Sequence, residues 1–438
     1  MNRKIPLWLL LLVLWFSLIG TLWFGWAVWH IEGTRHGPPT KTDRLIVKIA
    51  SYPALVRESF AEINRQSKLI VADSYPGIGH FKAENKYVDS NYILLATFDK
   101  TKDQSVAKLI RLADQKTVYE WTPDYDQIIK LNGGQNDWPG KFKRDLRLYH
   151  PLLLADGSLV FSTQLSPLIK IDKNSRLVWA VGGIFHHCVE SDIKGNIWVP
   201  SLISPSEFRP DILYDYDDNA ITEVSPGGKI IFQKSVARIL VDNGYTALLL
   251  GVGPYEKDLL HLNTIRPALT SGRYWQQGDL LISLRNRSTV LLYRPATNKI
   301  LWLKTGPWLC QHDVRFVDST RISIFGNDIV RVFGDERLIN GHNEEYVFDF
   351  KTGSVETPFT QFLRKAGVST LDEGEAQIQK NGDLLVEETN KNRVLKGTKT
   401  SILWQFVERI DSHSLAALSC SEFISKEEFG NLNFFKTK

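Results

Sequence analysis

The sequence predicts an all-β protein, a six-bladed β-propeller, carried behind an N-terminal transmembrane helix. Two observations predict this: an uncharged run over residues 6–29, and a glycine-led apolar strand that recurs along the rest of the chain. A third supports them, because only Ser235 to Asp242 reads as a helix-length interruption among the repeats.

Composition narrows the function classes. Of 438 residues, 43% are hydrophobic and 23% charged, the balance of a globular protein with a sizeable core. The formal charge is +4 and no long basic run occurs, so no nucleic-acid partner is expected. Cys188, Cys310 and Cys420 are widely separated with no CxxC pair, which indicates neither a zinc site nor a disulfide framework.

The first element is the anchor. Pro6 through Trp29 contain no ionisable side chain. As a helix they would measure roughly 36 Å, enough to cross a hydrocarbon core of about 30 Å. Trp8 lies near one end, and Trp23, Trp26 and Trp29 near the other, as interfacial aromatics do. A cleaved signal peptide would have a shorter apolar core and a small-x-small cleavage site, which Gly25-Trp-Ala-Val-Trp-His30 does not offer. Arg3 and Lys4 assign the leader to the cytoplasm, although Arg35, Lys41 and Arg44 on the far flank oppose that bias. The domain beyond is thus expected to be extracytoplasmic (periplasmic), on a single-pass protein of the cytoplasmic membrane.

The expected divisions are 1–32 for leader and anchor, 33–84 for a juxtamembrane connector and 85–438 for the propeller. Gly37-Pro38-Pro39 breaks the chain. Two short amphipathic helices then follow, split by Pro53, with Leu55, Phe60 and Ile63 on one face of the second.

The repeat units begin Gly157-Ser-Leu-Val-Phe161, Gly195-Asn-Ile-Trp-Val199, Gly278-Asp-Leu-Leu-Ile282 and Gly382-Asp-Leu-Leu-Val386. Looser copies begin at Asn91 and Arg321. Matching later strands end at aromatics, as in Val118-Tyr-Glu-Trp121, Leu177-Val-Trp179, Ile230-Ile-Phe232, Ile300-Leu-Trp302 and Ile402-Leu-Trp404. An insertion over about 200 to 255 carries the acidic run Asp215 to Asp218, expected to be a solvated loop.

Aligned on these strands, one polar residue falls just before each first strand: His150, His187, His261, His312 and Glu375. Equivalent positions in a propeller face the same part of the central channel, so these five are expected to converge. His186 reads as the opposite-facing neighbour of His187, and Asp313 as a group that orients an imidazole or forms a buried pair.

Around these positions the sequence resembles the bacterial aryl sulfotransferase family. The resemblance covers roughly residues 85 to 410. It rests on Asp258-Leu-Leu-His261-Leu-Asn263, Gly278 through Ser283-Leu-Arg285, and Gly306 through Gln311-His312-Asp313, with Phe185-His186-His187 before them. It implies that His312 is the nucleophile that becomes sulfated. His261 and Asn263 would bind sulfuryl oxygens or handle the phenol proton, Arg285 would clamp the sulfate, and His187 would supply a further polar contact. His150 and Glu375 complete the expected substrate contacts. An aryl sulfate donor, a phenolic acceptor, no metal and no nucleotide cofactor are implied. Thr389 and Lys391 are the candidates for the family's threonine and lysine near the last blade.

The chemistry stands without the resemblance. Sulfuryl transfer spreads negative charge over three oxygens, where a planar guanidinium helps, and a neutral imidazole can attack sulfur while another takes a proton. Two other readings remain open: a metal-dependent propeller lyase or hydrolase using the histidines with Glu375, and a non-catalytic ligand-binding propeller.

Overall fold

The computed structural model describes residues 6–33, 40–63, 67–131, 143–209, 211–213, 215–253, 255–332 and 335–432. The chain separates into two compact units, Met1–Gln66 and Ser67–Lys438.

In the first unit, Leu7–Gly33 is one helix whose apolar stretch Leu7–Ile31 is long enough to cross a membrane. Its length and composition fit a membrane span and also a signal sequence. The second helix, Lys41–Ile63, runs through Pro53 without a break, contrary to the two helices expected. The side chains beyond Pro53, with Leu55, Phe60 and Ile63 among them, lie outside the described residues, as does the Gly37-Pro38-Pro39 break.

The second unit is propeller-like and mostly β. Among the described residues, four of its sheets are built on four antiparallel strands each, one of them with a fifth added at its edge. One joins Leu262–Pro267, Leu280–Leu284, Thr289–Arg294 and Lys299–Thr305, and the next joins Asp313–Phe316, Arg321–Gly326, Glu344–Asp349 and Val355–Glu356. Glu375–Ile378, Leu384–Glu388, Arg393–Gly397 and Ile402–Phe406 form another, extended by Phe81–Ala83. In the remaining one, Glu422–Ile424 pairs with Tyr92–Asp99, ahead of Gln104–Arg111 and Lys116–Trp121.

Two expectations need correction here. The second and third repeats do not form separate sheets: Tyr149–Leu153 through Ile230–Ser235 make one eight-stranded sheet, because Leu177–Phe185 pairs with Ile197–Ile203 at Phe185 and Ser201. The pairing thus resolves four separate blades rather than six. The connector also ends earlier than residue 84, since Ile70–Ala72 and Phe81–Ala83 both pair with strands near the C-terminus.

The repeat glycines have a backbone reason. Gly157, Gly195, Gly278 and Gly382 all have φ between 78° and 88°, and each precedes the second strand of its repeat. The strands that follow are apolar on both sides, because each sheet is sandwiched between its neighbours. Leu94, Leu109, Leu159 and Ile169 pack across one such interface, while Ile221, Leu262, Leu280 and Leu291 pack across another. The insertion contributes the helix Val236–Asp242, capped by Ser235 as its position suggests, and buries Val236, Ile239 and Leu240 in the second cluster. Among the described residues, four further short α-helices, such as Thr360–Ala366, have no counterpart in the repeat pattern. The acidic run is solvated at Asp215 but buried at Asp218, and each carboxylate has a partner. The Asp218 carboxylate accepts from Ser235 Oγ at 2.6 Å, Asp217 pairs with Lys257 at 3.2 Å and Asp215 accepts from Tyr255 OH at 2.6 Å.

Candidate active site

The first strand of each repeat leads away from a residue forced into left-handed backbone. His150, His187, His261, Cys310, Glu373 and Cys420 all have φ between 44° and 58°, each within three residues of such a strand. Non-glycine residues rarely take this conformation, and it concentrates at functional sites. It also corrects the alignment made from sequence. His312 and Glu375 are not the equivalents of the other histidines; Cys310 and Glu373, each two residues earlier, are.

His150, His187, His261 and His312 nevertheless converge. The His187 ring lies 4.9 Å from that of His261 and 5.7 Å from that of His312, and His150 stacks on His312 at 6.3 Å. His186 is also drawn in, its Nδ1 2.6 Å from His187 Nδ1, so it is not merely the outward neighbour. Burial first, then the surrounding positive charges, holds His150 and His187 well below the usual imidazole value. Burial likewise brings His312 down to about 4, with Glu373 and Asp313 opposing it and His261 and Arg285 adding to it. These rings are therefore neutral at physiological pH.

The motif residues turn out to do two jobs. Gln311, fully buried, donates from Nε2 to Ser283 Oγ at 3.1 Å and to the Thr289 carbonyl at 2.9 Å, while Ser283 Oγ donates to the Gln311 carbonyl at 3.3 Å. Thr264 Oγ1 donates to the His312 carbonyl at 2.9 Å. Gln311 and Ser283 thus pin the His312 segment to the preceding sheet. Asn263 lies against the same segment, its Nδ2 3.4 Å from the Gln311 carbonyl. Arg285 follows directly on Leu280–Leu284, its backbone N–H donating to the His261 carbonyl at 3.0 Å. Its Nη2 reaches Glu336 Oε1 at 3.4 Å. Asn263 Oδ1, Arg285 Nε and His312 Nε2 are buried without a hydrogen-bond partner among the described residues.

Two contributors were not foreseen. Asp258 holds His261 twice, accepting from its backbone N–H at 2.9 Å and contacting Nδ1 at 2.5 Å. Burial opposes ionisation of Asp258, yet the bonds from His261 hold its carboxyl below the ordinary value. The Asp-x-x-His spacing was the available signal. Glu373 is the second: Arg147 donates to it at 2.8 Å through both terminal nitrogens, and Tyr149 OH donates at 2.7 Å. Burial would neutralise Glu373, but Arg147 keeps its carboxyl below the usual range.

Glu375 shares a small cavity with His150 and Cys420 rather than meeting the other histidine rings. It lies further along the channel, accepting from Arg315 at 2.7 Å, and Asp313 likewise accepts from Arg315 at 2.5 Å. Thr389 bonds Glu387 Oε1 at 2.9 Å and Lys391 contacts Ser369, so neither makes a described contact with the histidines. Among the described residues, no group of three or more His, Cys, Asp or Glu is arranged to hold a metal ion.

No curated protein matches the chain. Among solved structures it is similar to a protein of unknown function from Bacteroides caccae, at 12% identity and a TM-score of 0.47, covering 76% of this chain and 99% of that one. It is also similar to a streptogramin B lyase at 10% identity, a TM-score of 0.40 and 78% and 98% coverage. A periplasmic gluconolactonase of Pseudomonas aeruginosa follows at 10% identity, a TM-score of 0.42 and 76% and 99% coverage. Likenesses this distant say nothing of the chain's own activity. Residues 150–409 match the arylsulfotransferase (ASST) family, a span that contains His150, His187, His261, Asn263, Arg285 and His312. With more than half its length matched, the chain belongs to the arylsulfotransferase family.

Proposed function

We propose that this chain transfers a sulfuryl group from an aryl sulfate to a phenol, in two displacements through a sulfohistidine on His312. The observation that supports it most is the convergence of unpartnered buried atoms on motif residues. A buried polar atom without a partner costs about 1–3 kcal/mol, so Arg285 Nε and His312 Nε2 mark a place built for a ligand.

In the first displacement a neutral His312 nitrogen attacks sulfur, the N–S bond forms, the S–O bond breaks and the phenolate leaves to take up a proton. Arg285 and Asn263 face the equatorial oxygens as charge spreads over them. In the second, the acceptor phenol attacks the same sulfur, the N–S bond breaks and His261 takes the phenolic proton. Asp258 suits His261 to that task, because a carboxylate on Nδ1–H leaves Nε2 as the free lone pair. His187 and His150 complete the polar wall. Glu375, held by Arg315, is left out of the substrate contacts in this reading, and no resident cofactor enters the scheme.

The finer architecture belongs to the same reading. The eight-stranded sheet counts as two blades joined at Phe185 and Ser201, which makes six. Residues 6–29 act as a retained anchor, and the catalytic unit lies outside the cytoplasmic membrane. Protease added to intact spheroplasts should therefore cut the domain; protection there, with cleavage in inverted vesicles, would reverse the orientation.

The chemical test is intact-protein mass spectrometry with peptide mapping after incubation with an aryl sulfate and no acceptor. One phenol should be released per protein, with the adduct on His312. His312→Asn should abolish both. Turnover without an adduct on any histidine would replace the covalent scheme with direct transfer.

A further inference from the structure

We propose that the channel below the histidine cluster is a proton route for the transfer reaction, entered through His150 and Cys420 and opening into a groove at the far end of the inner strands. This rests on the sulfuryl-transfer reading and extends it.

The two half-reactions set the need. The first consumes a proton, because the departing aryloxide must become a phenol, and the second returns one when the acceptor loses its own. Between them the enzyme holds the sulfuryl group and is one proton short. His187 and His312 are held neutral and are poor donors, so a store of exchangeable protons within reach would serve both steps.

The geometry supplies a path. His150 stacks on His312 on one side and, on the other, places Nε2 2.7 Å from Cys420 Sγ. Both residues line a cavity of about 50 Å³ with Glu190, Glu375 and Glu422, a space sufficient for a few waters. Arg266 and Arg315 form its floor and are shared with a groove of about 400 Å³ that runs on past Pro267, Phe316 and Ile378. Those three residues end the strands that begin at the histidine level. At about 3.3 Å per residue the Leu262–Pro267 strand alone sets the two levels roughly 16 Å apart.

Charge counting says that this channel carries protons. Arg266 bridges Glu190 at 2.7 Å and Asp313 at 3.2 Å, while Arg315 bridges Asp313 and Glu375. Two guanidiniums thus meet four carboxyls once Glu422 is included. Ionising all four would leave two buried charges uncompensated, so some carboxyls must hold protons. Titration directions agree. Burial, followed by the Glu190 charge, pushes Glu422 up to about 8, and burial pushes Glu375 well above the ordinary range despite Arg315. Further carboxyls stand behind this set, with Glu345 fully buried beside Ser323 and Glu387 next to Cys420; Glu428 faces Glu422 from the C-terminal helix.

The test separates proton supply from structural damage by leaving group. Phenyl sulfate expels a poor leaving group that needs a proton; 4-nitrophenyl sulfate expels one that does not. In the full-length protein, Glu422→Gln and Cys420→Ala should slow donor-only sulfation by phenyl sulfate about tenfold to a hundredfold, the span from a weak to an ordinary general-acid effect. Sulfation by 4-nitrophenyl sulfate should stay near wild type, and Glu422→Asp should restore the phenyl sulfate rate. The wild-type rate with phenyl sulfate should also fall above about pH 8, a fall that Glu422→Gln removes. Equal slowing of both donors, or of neither, overturns the route. Absence of any His312 adduct with 4-nitrophenyl sulfate in the wild type overturns the sulfuryl-transfer reading itself, and the route with it.

Discussion

Burial brings His312 down to about 4, so at neutral pH its imidazole is uncharged and keeps one ring nitrogen with a free lone pair, the state the proposed attack on sulfur needs. Turnover limited by His312 should hold as pH drops below 7 and fall only as it passes through about 4. The same displacement has a stability consequence. Unfolded histidine binds a proton near 6.5 and native His312 near 4, so the native state is favoured fully above 6.5 and loses that advantage as pH falls toward 4. In the proposed reaction Arg285 would act through shape as well as charge. Arg285→Lys keeps the cation but loses the fork, and should slow turnover by about 10²–10³-fold while the adduct still forms on His312. Rates near wild type would make Arg285 a strut between sheets. At this scale the sequence displayed the candidate residues in short motifs, because His261, Asn263, Arg285 and His312 sit in local patterns. Arg147 with Glu373 was not legible, since the two are 226 positions apart and meet only when the first and last repeats close. Nor was the two-residue offset of His312 and Glu375, which depends on φ at Cys310 and Glu373.

Individual sheets follow from the glycine-led turns and from strands apolar on both faces, and those features are local enough to read directly. The joining of two repeats through Phe185 and Ser201 is a matter of register between distant strands, which no local pattern encodes. The unbroken helix through Pro53 likewise overrode a propensity argument. Between sheets, Gln311 is the informative residue, because it bonds across to Ser283 and Thr289 and has no exposed surface. Gln311→Ala would remove both Nε2 bonds, take that donor from the buried Thr289 carbonyl and open a void, costing about 1–3 kcal/mol for the buried partner alone. The expected result is a lower urea midpoint and weakened donor sulfation, with adduct chemistry still directed to His312. An unchanged midpoint would mean that Thr264 and the backbone hold the segment by themselves.

At the scale of the whole second unit, strands from both of its ends join the sheets. Glu422–Ile424 completes the sheet that starts at Tyr92, while Phe81–Ala83 adds an outer strand to the last sheet. The seam is reinforced by the Lys396–Asp89 ion pair at 2.8 Å, which is buried and also accepts from Trp404 Nε1 at 3.1 Å. Repeats in order are visible in a sequence, but which terminal strand closes them is not. Deleting residues from Glu422 onward should abolish cooperative thermal unfolding followed by near-ultraviolet circular dichroism; a sharp native-like transition would show that the seam is dispensable.

The contact between His150 and Cys420 has a temporal consequence. The partners lie 270 positions apart, so almost the whole catalytic unit must be made and collapsed before they meet. Long-range closure of this kind is slow, because chain entropy is lost before the contact rewards it. Imidazoles brought near one another by earlier repeats would still face open water and keep their ordinary basicity. On the proposed reading, the buried surroundings of the histidines are thus complete only once Cys420 and the strand Glu422–Ile424 have taken their places.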